Sequence, residues 1–166
     1  MPNKRASAFL ATYRDEVART KRVLAAFPAG KEDLRPDPEG PRARDAAWKL
    51  VLGQGLMVKA MGGLDWSKPP GKQPESPASF AEIAKELDAG LERVEQTLGG
   101  MDDAALEQTV QFPVGPGKFG DFRKIDFCWF LLHDHIHHRG QLSVYIRLAG
   151  GKVPSIYGPS GDERWF

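Results

Sequence analysis

Four stretches of this chain repeat apolar residues at steps of three and four, and clusters of proline and glycine separate them. That spacing lays a stripe along one side of a helix, so the alternation narrows the fold class to helices packed on helices. The clearest stripe is Phe80, Ile83, Ala84, Leu87, Leu91, Val94 and Leu98. Ser79 or Ser76 could cap it, Ser79 with Glu82 three residues on having the pattern of a capping box, and Gly99 and Gly100 end the segment. Phe9, Tyr13, Val17, Thr20, Leu24 and Phe27 predict a helix over 7–27, stopped by Pro28 and Gly30. Ala47, Leu50, Val51, Gln54, Val58 and Met61 predict another over 43–61. A long helix follows over 124–149, and 102–108 reads as a short helical turn. The stretches 28–44 and 62–77 are loops, and "QFPVGPGKFGDF", 111–122, reads as irregular; a short hairpin is the alternative, but strands are not expected. The expected fold is all-α, a four-helix bundle with long connecting loops, as one domain over 1–166. Long loops across one end of a bundle often shape a pocket.

Two glycines sit inside the second helix. Gly53 and Gly55 each cost about 1 kcal/mol relative to alanine there. Tight helix packing is the first explanation, and room for a ligand is the second.

Every histidine lies in "HDHIHHRGQ", 133–141, on the last long helix. At about 100° per residue, Asp134, His137, His138 and Gln141 share an arc of roughly 100°. Phe127, Phe130, Tyr145 and Leu148 share it too, so this polar cluster is predicted to face inward. Buried polar groups need partners. Asp134 with His138, and His133 with His137, have the four-residue spacing that lets two side chains close on one metal ion. Either pair supplies two ligands, and a third must come from another helix. His137 is a candidate third ligand or general base, and Gln141 could orient a ligand imidazole. The alternative is a hydrogen-bonded polar stripe. His135 points nearly opposite, toward Leu132, Ile136, Leu142 and Ile146. A helix apolar on two sides is central or shared, so this second face predicts a homodimer.

The net charge of +1 gives no field that draws the chain to nucleic acid or anionic lipid. No run approaches the length of a membrane span, and no signal peptide stands at the start. The single cysteine, Cys128, excludes an intrachain disulfide and reads as a small buried hydrophobe. A cytoplasmic location is expected. "VGPGKFGD" lacks the spacing of a phosphate loop. Tyr157 and Trp165 are candidate anchors of the tail.

"HHRGQLSVYIRLAGGKVPSIYGPS", 137–160, resembles the DinB-like superfamily, which includes the YfiT relatives. "LAAFPAGKEDLRPDP", 24–38, is similar to that family's first helix and its exit. The resemblance implies a four-helix bundle and a divalent metal, nickel or zinc, held by three histidines. One ligand comes from the second helix and two, four residues apart, from the last. The later of the two maps onto His138 and the earlier onto Asp134; the second-helix ligand falls on or beside Gly53. The chain thus departs from the pattern at two ligands. The resemblance implies a metal-dependent thiol S-transferase or hydrolase acting on small electrophiles in stress or detoxification. A low-molecular-weight thiol, bacillithiol or mycothiol, would be its co-substrate. The alternative is a non-catalytic bundle with a degenerate metal site. Asp134, His138, His137 and His133 are the candidate ligands, with His137 as base and Gln141 beside the cofactor.

Overall fold

The structure is a computed structural model that describes residues 4–66 and 71–166. Its element order is α1 (Lys4–Ala25), α2 (Ala43–Gly62), α3 (Phe80–Gly99), α4 (Asp103–Glu107), β1 (Thr109–Gly115), β2 (Lys118–Arg123) and α5 (Lys124–Leu148). The predicted loop over 62–77 includes 67–70, which lie outside the described residues.

α1, α2, α3 and α5 form the bundle. The principal contacts run α1 to α3, α3 to α2, α2 to α5 and α5 back to α1. Successive helices α1 and α2 are therefore diagonal partners, as are α3 and α5. A diagonal connection must cross the end of the bundle, which accounts for the length of the segment over 26–42. Between α3 and α5 the crossing is filled by α4 and a hairpin. The core follows the predicted stripes, with Phe9, Tyr13, Val17 and Leu24 from α1, Leu50 and Val51 from α2, and Ile83, Leu87, Val94 and Leu98 from α3 all buried; on α2 Met57 is buried as well, while the expected Val58 is half-buried.

Local chemistry sets the ends. Ser79 Oγ accepts from Glu82 N at 3.2 Å, and Glu82 Oε2 accepts from Ser79 N at 3.2 Å, so the capping box of α3 is complete. Asp102 caps α4 by accepting from Ala105 N at 2.8 Å. Gly150, at φ 80°, ends α5 in the left-handed region that glycine enters without strain.

The segment over 111–122 is not irregular. β1 and β2 pair antiparallel, with Val110 opposite Phe122 and Gly115 opposite Lys118. Pro116 fixes φ at the first corner, and Gly117, at φ 65°, takes the second, as a type II turn requires. The alternating glycines and prolines that suggested an irregular stretch thus build a turn and a bulge. Trp66 covers the hairpin, donating from Nε1 to Gln111 O at 2.8 Å and meeting the Phe112 ring edge-on.

Candidate functional site

The buried side of α5 is not the one the sequence suggested. Ile125, Cys128, Leu131, Leu132, His135, Arg139, Leu142 and Ile146 point into the bundle. This direction lies about 100° around the helix from the predicted polar arc. Two corrections follow. The Asp134–His138 pair stands at the rim, its side chains 50% and 21% exposed, and His133, His137 and Gln141 lie on the outer surface. The face of Leu132, Leu142 and Ile146, assigned above to a dimer, packs inside the chain, with these three at most 1% exposed. Periodicity could not choose between the two sides because both carry apolar residues.

Arg139 is 1% exposed. Its guanidinium donates to Glu16 Oε2 on α1 at 2.5 Å and to Tyr157 Oη in the tail at 2.5 Å. Tyr157 Oη in turn donates to Glu16 Oε2 at 2.6 Å. Burial pushes the Glu16 carboxyl up, but hydrogen bonds from Tyr157 and Arg139 and the guanidinium charge outweigh it, and its pKa ends below the ordinary value. The arginine of the "HRGQ" motif is thus a structural clasp between α5, α1 and the tail. Trp165 also ties the tail, donating from Nε1 to Ser155 Oγ at 2.9 Å.

His135 is buried beside this clasp. Thr20 Oγ1 gives its one proton to Glu16 O at 2.9 Å, so His135 Nε2, 2.8 Å away, donates to that oxygen. Burial, reinforced by the Arg139 charge, lowers the His135 pKa to about 4. This ring is neutral at physiological pH. Cys128 is buried as expected, and burial pushes its thiol up to about 12.

The rim pair opens on a cleft between α1, α2 and α5. Tyr13, Lys49, Gly53, Asp134, His135 and His138 line it, over a floor of Leu50, Met57 and Leu131. It spans about 230 Å³, most of it open to solvent. Its interior admits little beyond a single water. Asp134 Oδ2 and His138 Nε2 lie 3.6 Å apart. Gln141 Oε1 is 2.9 Å from His138 Nδ1, and Gln141 Nε2 is 3.0 Å from His137 Nε2. The amide therefore bridges the two imidazoles. Its orientation sets the His138 tautomer: with Oε1 on Nδ1–H, the Nε2 lone pair faces Asp134. Two acceptors turned toward one another suit a shared proton or cation.

A side chain at Gly53 would meet nothing within 4 Å. Tight packing therefore does not account for this glycine, which lines the cleft. Close packing occurs at Gly90 instead, where an added Cβ would lie 1.9 Å from Gln54 Oε1. The cleft brings together Asp134, His138 and the Gly53 position, but neither His133 nor His137. Among the described residues, no group of three or more His, Cys, Asp or Glu side chains gathers to hold an ion. A catalytic zinc site takes three protein ligands. With two donors and a glycine, these residues do not fit a resident three-ligand metal. Periodicity hid the buried participants: Glu16 and Thr20, one turn apart on the apolar face of α1, were the available signal for Arg139 and His135.

The bundle's likeness to solved proteins follows these contacts. A DinB-like protein from Bacillus cereus ATCC 10987 superposes with a TM-score of 0.71 at 22% identity, covering 91% of this chain and 97% of that one. The DinB-like protein YjoA from Bacillus subtilis superposes with a TM-score of 0.64 at 17% identity, covering 89% and 93%. These define the class, a DinB-like helical bundle. The DinB family model matches residues 1–164, and the chain belongs to the DinB family. The uncharacterized protein YrdA of Bacillus subtilis (strain 168) is 53% identical over 34 residues, which span 20% of this chain and 20% of YrdA. Among the described residues, no helix is long and apolar enough to cross a membrane.

Proposed function

We propose that this chain is a DinB-family bundle with a degenerate metal site, working as a non-catalytic binding unit in a stress or detoxification setting. One observation carries the reading. Gly53 faces the cleft where the family resemblance puts the third ligand, and it offers no donor. The cleft is also too narrow to hold a substrate of many atoms. The single, buried thiol supports a reducing, cytoplasmic location.

A second reading, a metal-dependent S-transferase or hydrolase using nickel or zinc and a low-molecular-weight thiol, draws on the Asp134–His138 pair. Their 3.6 Å approach and the Gln141 contact on Nδ1 resemble a ligand pair with an orienting partner.

Metal retention separates the two. The protein carries His133→Ala and His137→Ala, which leave Asp134 and His138 in place. It is loaded with nickel or zinc, desalted, and measured for bound metal by mass spectrometry. The binding-unit reading expects far less than one ion per chain, and close to one after Gly53→His. One ion per chain without that change, lost on His138→Ala, sinks it in favour of the enzyme.

A further inference from the structure

The outer side of α5 is chemically unlike the other solvated faces. Phe130, His133, His137, Gln141, Val144 and Leu148 follow one another at steps of three and four, within an arc of about 80°. All are exposed, with Phe130 at 40%, Val144 at 57% and Leu148 at 57%. Between Phe127 and Ile146 the ionised side chains are Asp134 and Arg139, and Arg139 is buried. α3, by contrast, exposes Glu82, Lys85, Glu86, Asp88, Glu92 and Arg93. The core of a protein interface is depleted of charge in this way.

Two exposed imidazoles sit in the middle of the stripe, one helical turn apart. Neighbours at that spacing stand about 5–6 Å apart, within reach of one ion. Imidazole pairs suit borderline cations such as zinc, nickel and copper. A tetrahedral zinc site takes four ligands, and one chain supplies half of them here. A second copy related by a two-fold axis presents the same two residues, and no other partner is needed to finish the set.

We propose that His133 and His137 are half of a zinc-type site completed by the same pair of a second copy, so that one divalent cation joins two chains across the outer face of α5. With the axis passing between the pair, near position 135, the two helices run antiparallel. Phe130 of one chain then falls against Gly140 of the other. Gly140 is exposed and has no side chain to obstruct the ring. Capture exchanges the Gln141 Nε2 contact on His137 Nε2 for the metal bond. The site is separate from the Asp134–His138 cleft and does not rest on any activity there.

The test is the molar mass of EDTA-stripped, untagged protein by light scattering, with and without half an equivalent of zinc. The expected result is a monomer without zinc and a doubling of mass with it, at one zinc per two chains. His133→Ala and His137→Ala should each abolish the doubling, while His138→Ala should keep it. These are surface positions, and circular dichroism confirms that each variant is folded. Four results overturn the proposal: an unchanged mass with zinc, zinc bound to monomers, open-ended aggregation, or a dimer that forms without metal or survives in the two alanine variants.

Discussion

Arg139 on α5 donates to Glu16 Oε2 on α1 at 2.5 Å, and both side chains are withdrawn from water, at 2% and 6% exposure. Thus an ion pair, and not an apolar contact, joins the first and last helices at this level. Removing one partner leaves the other charged in a poor solvent. Glu16→Gln or Arg139→Met should each lower stability by about 3–5 kcal/mol, read as a fall in the urea midpoint. The combined variant should lose less than the sum of the two. Strict additivity would show that the pair is not coupled.

Acid should weaken the fold from about pH 6.5 downward, through His135. His135 in the folded protein takes up a proton only near pH 4, whereas an unfolded histidine does so near 6.5. Between those values the unfolded chain binds more protons, so stability falls as pH drops from about 6.5 to about 4, by a few kcal/mol at most. Glu16 contributes in the other window. Its depressed pKa gives stability that is present above the ordinary glutamate value and lost as pH falls below it. Urea titrations across this range should show the upper slope in the native chain. It should vanish in His135→Gln, which retains a donor for Thr20. A slope unchanged in that variant would remove His135 as its source.

At Gly90 the usual helix rule should reverse. Alanine is the better helix former by about 1 kcal/mol, yet its Cβ would stand 1.9 Å from Gln54 Oε1 and 2.6 Å from Gln54 Cδ. The clash should prevail, and Gly90→Ala should destabilise by roughly 1–3 kcal/mol. Gln54 is buried and donates to Leu87 O at 3.1 Å, and among the described residues its Oε1 has no hydrogen-bond partner. Gln54→Ala in the same chain should therefore recover much of the loss. A Gly90→Ala protein as stable as the native one would mean that the α2–α3 contact is looser than described.

Most of the helical frame could be read from residue spacing. The apolar steps in α3 located that helix, and of the two serines that could cap it, Ser79 with Glu82 forms the capping box, because cap and stripe are local chemistry. The hairpin was missed because Pro116 and Gly117 look like breakers until two strands are set beside them. The site was half legible. Asp134, His138 and the Gly53 position do line one cleft, but its depth depends on which side of α5 faces the bundle. That side is chosen by Glu16, Thr20 and Tyr157, which lie 115 or more residues from their α5 partners for the two on α1 and 18 residues away for the tail tyrosine. No count of spacings along α5 alone contains that information.

The two sides of α5 also answer to different constraints over generations. Inward, His135 and Arg139 hold α1 and the tail, so a replacement there disturbs several elements at once. Outward, from Phe130 to Leu148, substitutions cost the bundle little. Descendants of this chain can try new partners along that strip while the scaffold beneath it stays the same.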